Sequence, residues 1–281
     1  MKRILIPIDF SPNARKALQF AAAIAERAKA VLIIVNVFDV VDTPFREKTE
    51  LEKKHNVTAA LALQEELALT KKELEETRHL DVVTQFYAGA VTSSIIRSVE
   101  DSKADMIVMG TLGNAAIKER LFGSVTAAVI AKADIPVLAV PLLSEWDIPR
   151  NILLAINHFD ADPQFAKPVV EMASLFGANL IVATFTNERK AGAVDYLEST
   201  RGILAFTENL RHTFQKDKLY SVKLYGNQFE EALDGYFREN NTDILAMFTY
   251  KRSFISSLFN RSMTKKMSYQ TDIPLLVIPV K

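Results

Sequence analysis

Three glycines and a serine stand at a spacing that could bind a phosphate group. Gly113 follows Gly110 after two residues, and nine further residues lead to Gly123 and Ser124. Glycines allow positive φ and a close approach of the backbone to an anion, while unpaired N–H groups at a helix start point at phosphate oxygens. Because the chain has only nine glycines and a helix is expected over 125–131, this pattern indicates a phosphate-binding loop.

The elements around this loop alternate between short apolar runs and longer helical segments. Such alternation predicts parallel strands buried on both faces with helices packed outside, the pattern of a doubly wound α/β sheet. Ligands in such a sheet lie beyond the carboxyl ends of the strands, where the strand order reverses. We expect strands near 3–8, 31–37, 82–87, 105–110, 136–140, 151–156, 180–185, 221–225, 243–248 and 274–279, and helices near 12–30, 45–78, 125–131, 162–176, 192–216, 228–240 and 260–270.

The chain contains a tandem repeat. Residues 104–110 match 242–248, and residues 134–141 match 272–279, both with an offset of 138 positions. At the front, residues 3–9 match 151–157 with an offset of 148. We therefore expect one five-stranded domain over 1–143 and a second over 148–281, joined by a connector at 142–150.

Composition excludes several classes of protein. Thirty-four basic residues balance 34 acidic ones, which removes the bulk electrostatic argument for nucleic acid or an anionic membrane surface. The absence of cysteine excludes disulfides and thiolate metal sites, and it favours a cytoplasmic location. No apolar run approaches the roughly 20 residues that span a bilayer.

Four features resemble the universal stress protein family. They are the opening residues 4–11, the strand Val35-Asn36-Val37, the glycine pattern at 110–124 and the closing residues 135–138. The resemblance implies two tandem Rossmann-like domains of the adenine nucleotide alpha hydrolase type, related by a pseudo-twofold axis. It also implies that the first domain binds ATP or another adenine nucleotide, using Pro7, Asp9, Val37, Met109, Gly110, Gly113, Gly123, Ser124, Val125 and Thr126.

Each implied role has a purely structural alternative. Asp9 could cap the following turn or helix, because carboxylates at strand-to-helix junctions commonly accept backbone N–H bonds. Gly110 and Gly113 could be turn glycines, and Gly123 could serve only the entry into its helix. Lys118 and Arg120, which lie within the loop, could screen phosphates or remain solvated.

The second repeat has lost most of the polar pattern. Asp9 corresponds to Asn157, Gly110 to Phe248, Gly113 to Lys251 and Gly123 to Arg261, whereas Ser124 and Thr126 persist as Ser262 and Thr264. We expect no equivalent nucleotide site there. A basic cluster around this segment could bind a different anion or an acidic partner, or form a solvated surface; its residues are Lys251, Arg252, Arg261, Lys265 and Lys266.

No residue set in the sequence marks catalysis. A Gly-Lys-Ser/Thr motif and a carboxylate cluster are both missing near the loop, so magnesium would arrive with the nucleotide phosphates. The leading hypothesis is a nucleotide-dependent regulator or binding protein in the stress response, with a protein partner that the sequence does not name. The alternatives are a slow ATPase or nucleotide hydrolase, and a scaffold whose second domain binds another anion.

The family resemblance also predicts how the repeats associate. Universal stress proteins pair through their last strand, and both copies possess that strand, at 137–140 and 275–280. An apolar strand at a sheet edge needs cover. We expect these strands to pair within the chain, imitating a homodimer, and further association of whole chains is left open.

Overall fold

Ten strands form one continuous sheet. The computed structural model describes residues 1–38, 50–111, 123–156, 159, 161–189, 191–249 and 272–280, with the side chains of 50–55 left aside. The strand order is β3-β2-β1-β4-β5-β10-β9-β6-β7-β8. The bounds are β1 Arg3–Pro7, β2 Val31–Phe38, β3 Val82–Ala88, β4 Met106–Gly110, β5 Val137–Val140, β6 Asn151–Ile156, β7 Asn179–Asn187, β8 Leu219–Gly226, β9 Ile244–Thr249 and β10 Leu275–Pro279.

Seven α-helices connect these strands within the described ranges. They are α1 Pro12–Ala28, α2 Glu50–Arg78, α3 Val91–Ser102, α4 Ser124–Lys132, α5 Lys167–Phe176, α6 Ala193–Phe214 and α7 Phe229–Asn240. The helix expected over 162–176 begins instead as a 3₁₀ turn, Pro163–Ala166. Pro168 accounts for this start, because it lacks the N–H that a regular helix through this segment would donate to the carbonyl of Gln164. The helix expected over 260–270 and the front of the one expected over 45–78 lie outside the described residues.

The first helix illustrates how the sequence sets these bounds. Ser11 has extended backbone, and its hydroxyl accepts the N–H of Ala14 at 3.1 Å. Pro12 takes the first helical position, where its missing N–H costs nothing. Lys29 ends the helix in the left-handed conformation with φ of 52°. α1 therefore starts directly above the exit of β1.

Each half of the sheet is parallel and doubly wound. The first half reads 3-2-1-4-5 and the second reads 8-7-6-9-10, so the order reverses beside β1 and again beside β6. Neighbouring strands are parallel except β5 and β10, which are antiparallel. The expected tandem doubly wound architecture is confirmed, with its two five-stranded sheets merged into one.

Helices cover both faces of the sheet. Residues of α1, α2, α5 and α6 share one core, and α3, α4 and α7 contribute to the other. Alternate residues of each strand face the two cores, as in β1, where Ile4 and Ile6 face one side and Leu5 the other. Burial on both faces explains the nearly continuous apolar runs of these strands.

The two halves meet at β5 and β10, as the family resemblance implied. Leu138 lies opposite Leu276, and both are fully buried. The segment that joins the halves is also anchored, because Trp146 packs edge-on against Phe20 of α1 and Phe176 of α5, with ring centroids at 4.9 and 5.7 Å. The junction is thus held by strand pairing and by an aromatic cluster.

Across the part of the chain that the structure describes, no helix is both long and apolar enough to cross a membrane.

Candidate functional site

The predicted site lies where the strand order reverses in the first half of the sheet. β1 is flanked by β2 and β4, so the connections that leave β1 and β4 turn to opposite faces. Asp9 follows β1, and Gly110 is the last residue of β4. In open α/β sheets this reversal opens a crevice at the carboxyl edge.

Asp9 is held in place by the residue before it. The N–H of Ile8 donates to the carbonyl of Val35 at 2.8 Å, and the side-chain amide of Asn36 donates to the Ile8 carbonyl at 2.7 Å. Both polar groups of the Ile8 backbone are therefore fixed by β2. The Asp9 side chain, which is exposed, starts from a rigid strand end.

Asp9 also has the structural role that the sequence left open. Its Oδ1 accepts the N–H of Ser11 at 3.0 Å, an Asx-type turn. The intervening Phe10 has φ of 57°, so this carboxylate stabilises a strained corner between β1 and α1. A carboxylate has about four lone-pair directions, so this turn bond does not by itself exclude a contact with a ligand.

Gly110 is required by close packing and not by a positive φ. A Cβ at this position would lie 2.0 Å from Asn13 Oδ1 and 3.0 Å from the Asn13 backbone carbonyl carbon. Its φ lies outside the left-handed region, unlike that of Gly89, Gly177 and Gly226. The freedom of glycine to adopt a positive φ is therefore not used at Gly110, and the glycine instead lets α1 pack directly onto the end of β4.

Gly123 closes the loop that begins after β4. Its N–H donates to the carbonyl of Thr111 at 2.6 Å, which brings the two ends of the loop together. Gly123 is the N-cap of α4 with φ of −69° and ψ of 163°, and no side chain caps this helix start. A positive φ is not used at Gly123 either, and its conformation is open to any residue.

Thr126 serves the scaffold through its side chain. Its hydroxyl donates to the carbonyl of Gly110 at 2.8 Å, and the residue is 3% exposed. The first turn of α4 is thereby fixed to the end of β4. The expected contact of Thr126 with a ligand is limited to its backbone, whereas the side chain of Ser124 is exposed at the first helical position.

The other predicted site residues that the structure describes lie at strand ends or at the start of α4. Pro7 ends β1 and Val37 lies near the end of β2, both partly exposed. Met109 is 4% exposed and belongs to the core beside α3 and α4, so only its backbone is available. Val125 is partly exposed in α4. Gly113, Lys118 and Arg120 lie outside the described residues.

Two asparagines next to the site were not singled out from the sequence. Asn13 is 4% exposed and donates to the Thr111 hydroxyl at 3.4 Å. Asn36 is 2% exposed and fixes Ile8. Within the described residues, Oδ1 of each is buried without a hydrogen-bond partner. The signal in the sequence was a polar residue at an inward position of an apolar helix or strand.

At the equivalent edge of the second half, a buried phenylalanine stands in place of a glycine. Gly110 of β4 pairs in register with Val140 of β5, and Phe248 of β9 pairs with Ile278 of β10. Both residues of the second pair lie 138 positions after those of the first, so Phe248 occupies the position of Gly110. Phe248 is 4% exposed and lies in the core beneath α5 and α6. The other expected differences, at Asn157, Lys251 and Arg261, and the basic cluster lie outside the described ranges.

Sequence comparison places this arrangement in a known family. The universal stress protein family pattern matches residues 1–141. The chain belongs to the universal stress protein family. A universal stress protein of Methanocaldococcus jannaschii is 34% identical over 143 residues, which is 50% of this chain and 81% of that protein. One from Thermus aquaticus is 34% identical over 146 residues, 50% of this chain and 98% of that protein.

A solved universal stress protein matches the whole chain in fold. The crystal structure of a universal stress protein from Archaeoglobus fulgidus has a TM-score of 0.75 and covers 99% of this chain and 98% of its own, at 14% identity. At that identity the comparison supports the fold alone. Another member of the universal stress protein family therefore resembles this chain in fold over nearly its whole length.

Proposed function

We propose that residues 1–143 of this universal stress protein form a domain that binds ATP or another adenine nucleotide. The observation that carries the proposal is the closed base of the glycine loop, where the N–H of Gly123 meets the carbonyl of Thr111 at 2.6 Å. This bond and the Thr126–Gly110 bond place the uncapped start of α4 at the reversal of strand order. Both features suit a phosphate group.

In this proposal each residue has one task. The backbone N–H groups of Ser124 and Val125 and the Ser124 hydroxyl would contact phosphate oxygens, and Asp9 would accept a ribose hydroxyl or help to hold magnesium. One or two carboxylates suffice for nucleotide-bound magnesium, since phosphates and water supply the other ligands. Pro7, Val37, Met109 and Gly110 would contribute backbone to the nucleoside. Gly113 would complete the loop.

The donor set fits binding better than catalysis. Among the described residues, no group of three or more His, Cys, Asp or Glu side chains is placed to hold a metal ion. We propose that nucleotide occupancy regulates a binding function in the cytoplasm, where a chain without cysteine is suited to the reducing environment. Single-turnover hydrolysis measures whether the bound nucleotide is also cleaved.

The second half has a different role in the proposal. Residues 148–281 would form a domain without the same nucleotide site, because the second repeat lacks the aspartate and the three glycines of the first, with Asn157, Phe248, Lys251 and Arg261 in their places. A lysine and an arginine in place of Gly113 and Gly123 would crowd the close backbone approach that a phosphate needs. We therefore expect one nucleotide per chain.

Mass spectrometry of the nucleotide released from freshly purified, denatured protein tests the proposal. We expect an adenine nucleotide, at a level that falls at least about tenfold in Asp9→Asn, because a carboxylate hydrogen bond contributes more than 1.4 kcal/mol. Asp134→Asn is the matched control, since Asp134 is an exposed carboxylate. It lies just ahead of β5, at the amino-terminal ends of the strands and therefore away from the proposed site at their carboxyl ends. Equal loss in both variants, or no nucleotide in the wild type or after incubation with ATP, would contradict the proposal.

A further inference from the structure

Helices α2 and α6 are equivalent elements of the repeat. Each ends at a residue in the left-handed conformation, His79 with φ of 54° and Gln215 with φ of 49°, which sets an offset of 136 positions. The buried residues agree with this offset, because Leu67 corresponds to Ile203 and Leu74 to Leu210. Among the exposed residues, Leu61 then corresponds to Leu197 and Glu65 to Arg201, whereas Leu69 corresponds to Ala205 and Leu204 to Ala68.

The solvent-facing side of both helices is unusually apolar. Val57, Leu61 and Leu69 of α2 are 59–61% exposed, and Val194, Leu197 and Leu204 of α6 are 55–67% exposed. A helix on the surface of a globular protein normally turns charged residues outward. Apolar residues grouped along an outer helix face are typical of an interaction site.

A single charge interrupts each of these faces. We call Leu61, Glu65 and Leu69 the α2 stripe. We call Leu197, Arg201 and Leu204 the α6 stripe. Glu65 and Arg201 correspond by the offset of 136, are both exposed, and have no ion pair or hydrogen bond among the residues that the structure describes.

The sign of the charge is opposite at corresponding positions. Besides Glu65 and Arg201, the same offset relates Lys72 to Glu208, which both lie on the exposed side of their helices. If the α2 stripe of one copy met the α2 stripe of another copy, two glutamates would face each other, and two α6 stripes would bring two arginines together; like charges in contact are destabilising. If the α2 stripe of one copy met the α6 stripe of another, leucine would face leucine and Glu65 would face Arg201.

We propose that two copies of this chain associate through the α2 stripe of each against the α6 stripe of the other. Both helices pack on the same face of the sheet, at its two opposite ends, so one twofold axis can form both contacts at once. The last strands cannot serve this purpose, because β5 and β10 already pair with each other within the chain. Glu65 and Arg201 of the two copies would lie at the centre of each contact.

Sedimentation equilibrium with charge-reversal variants tests this arrangement. Glu65→Arg alone and Arg201→Glu alone should each weaken the dimer at least about tenfold, because each places like charges across both contacts. The double variant Glu65→Arg with Arg201→Glu should return to within about threefold of the wild type. An equimolar mixture of the two single variants should also dimerise, since both contacts between unlike variants are then complementary.

Controls separate association from folding. Both residues are exposed, so circular dichroism and thermal unfolding of the variants should match the wild type. Glu239→Arg reverses an exposed charge on α7, on the other face of the sheet, and should leave the dimer unchanged. A wild type that stays monomeric at about 100 µM, single variants that dimerise normally, or a mixture that fails to recover would each overturn the proposal.

Discussion

Leu138 of β5 and Leu276 of β10 lie directly opposite each other in the antiparallel strand pair at the centre of the sheet. The repeat offset of 138 positions makes these two leucines equivalent, so the pseudo-twofold axis passes between them. The pairs on either side obey the same symmetry, with Ala139 opposite Leu275 and Val137 opposite Val277. The chain therefore joins its two repeats edge to edge and covers both apolar strand edges at once.

Replacing both central leucines with lysine should unfold the junction. Leu138 and Leu276 are fully buried, and two unpaired charges at that site should cost more than about 3 kcal/mol. Leu143→Lys is the control, because Leu143 is 65% exposed and lies just beyond β5. Urea unfolding and protease cleavage of the connector measure the effect. Unchanged unfolding of the double variant would contradict the proposed importance of this pair.

Gly110→Ala should destabilise the protein and weaken nucleotide binding together. The added Cβ would lie 2.0 Å from Asn13 Oδ1, so α1 or the end of β4 must shift, at a cost of about 1–3 kcal/mol. Gly235→Ala is the matched control, because nothing lies within 4 Å of a Cβ at that helical position and alanine favours a helix by up to about 1 kcal/mol. Equal thermal stability of the two variants would argue against the close approach of α1.

Thr126→Val should show how much the hydroxyl of Thr126, as distinct from the volume of its side chain, contributes to stability. Valine keeps the volume but loses the 2.8 Å bond to the Gly110 carbonyl, which should cost about 1–2 kcal/mol of unfolding free energy. Thr126→Ser keeps a hydroxyl and should retain most of that stability. If the valine variant were as stable as the serine variant, the hydroxyl would not be what holds α4 to β4.

Lys216→Leu should stabilise the protein at neutral pH. Lys216 is 8% exposed and corresponds to the buried Leu80 of the first repeat. Burial lowers the pKa of Lys216, an effect increased by Lys218 and opposed by Asp217. A lowered folded-state pKa means that the folded chain bears the cost of a charged amine at pH 7, and this cost is relieved as the pH rises through that pKa.

The free energy of unfolding of Lys216→Leu should therefore exceed that of the wild type by about 1 kcal/mol at pH 7. The difference should be smaller near pH 10, close to the unfolded-state pKa of lysine. Urea unfolding of variant and wild type at both pH values measures the difference. A gain that stayed the same at the two pH values would show that the charge on Lys216 is not its origin.

The sequence predicted the strands far better than the details of the site. Apolar runs such as 31–37 needed burial on two faces, and only a parallel sheet with helices on both sides provides it. The sequence could not show that Gly110 serves a close approach without a positive φ, because a glycine alone does not reveal whether it serves a turn or a close approach. That choice depends on Asn13, which lies nearly a hundred positions away from Gly110 and meets it only in the folded chain.

Calorimetric titration of the full chain with ATP tests the central claim most directly. The start of α4, fixed at the end of β4 by the Thr126–Gly110 and Gly123–Thr111 bonds, and the loss of the aspartate and the three glycines from the second repeat together predict binding with one site per chain. Asp9→Asn should weaken that binding, while Asp134→Asn should leave it intact. No detectable binding would contradict the nucleotide site in the first half, and two equivalent sites would contradict the loss of that site in the second.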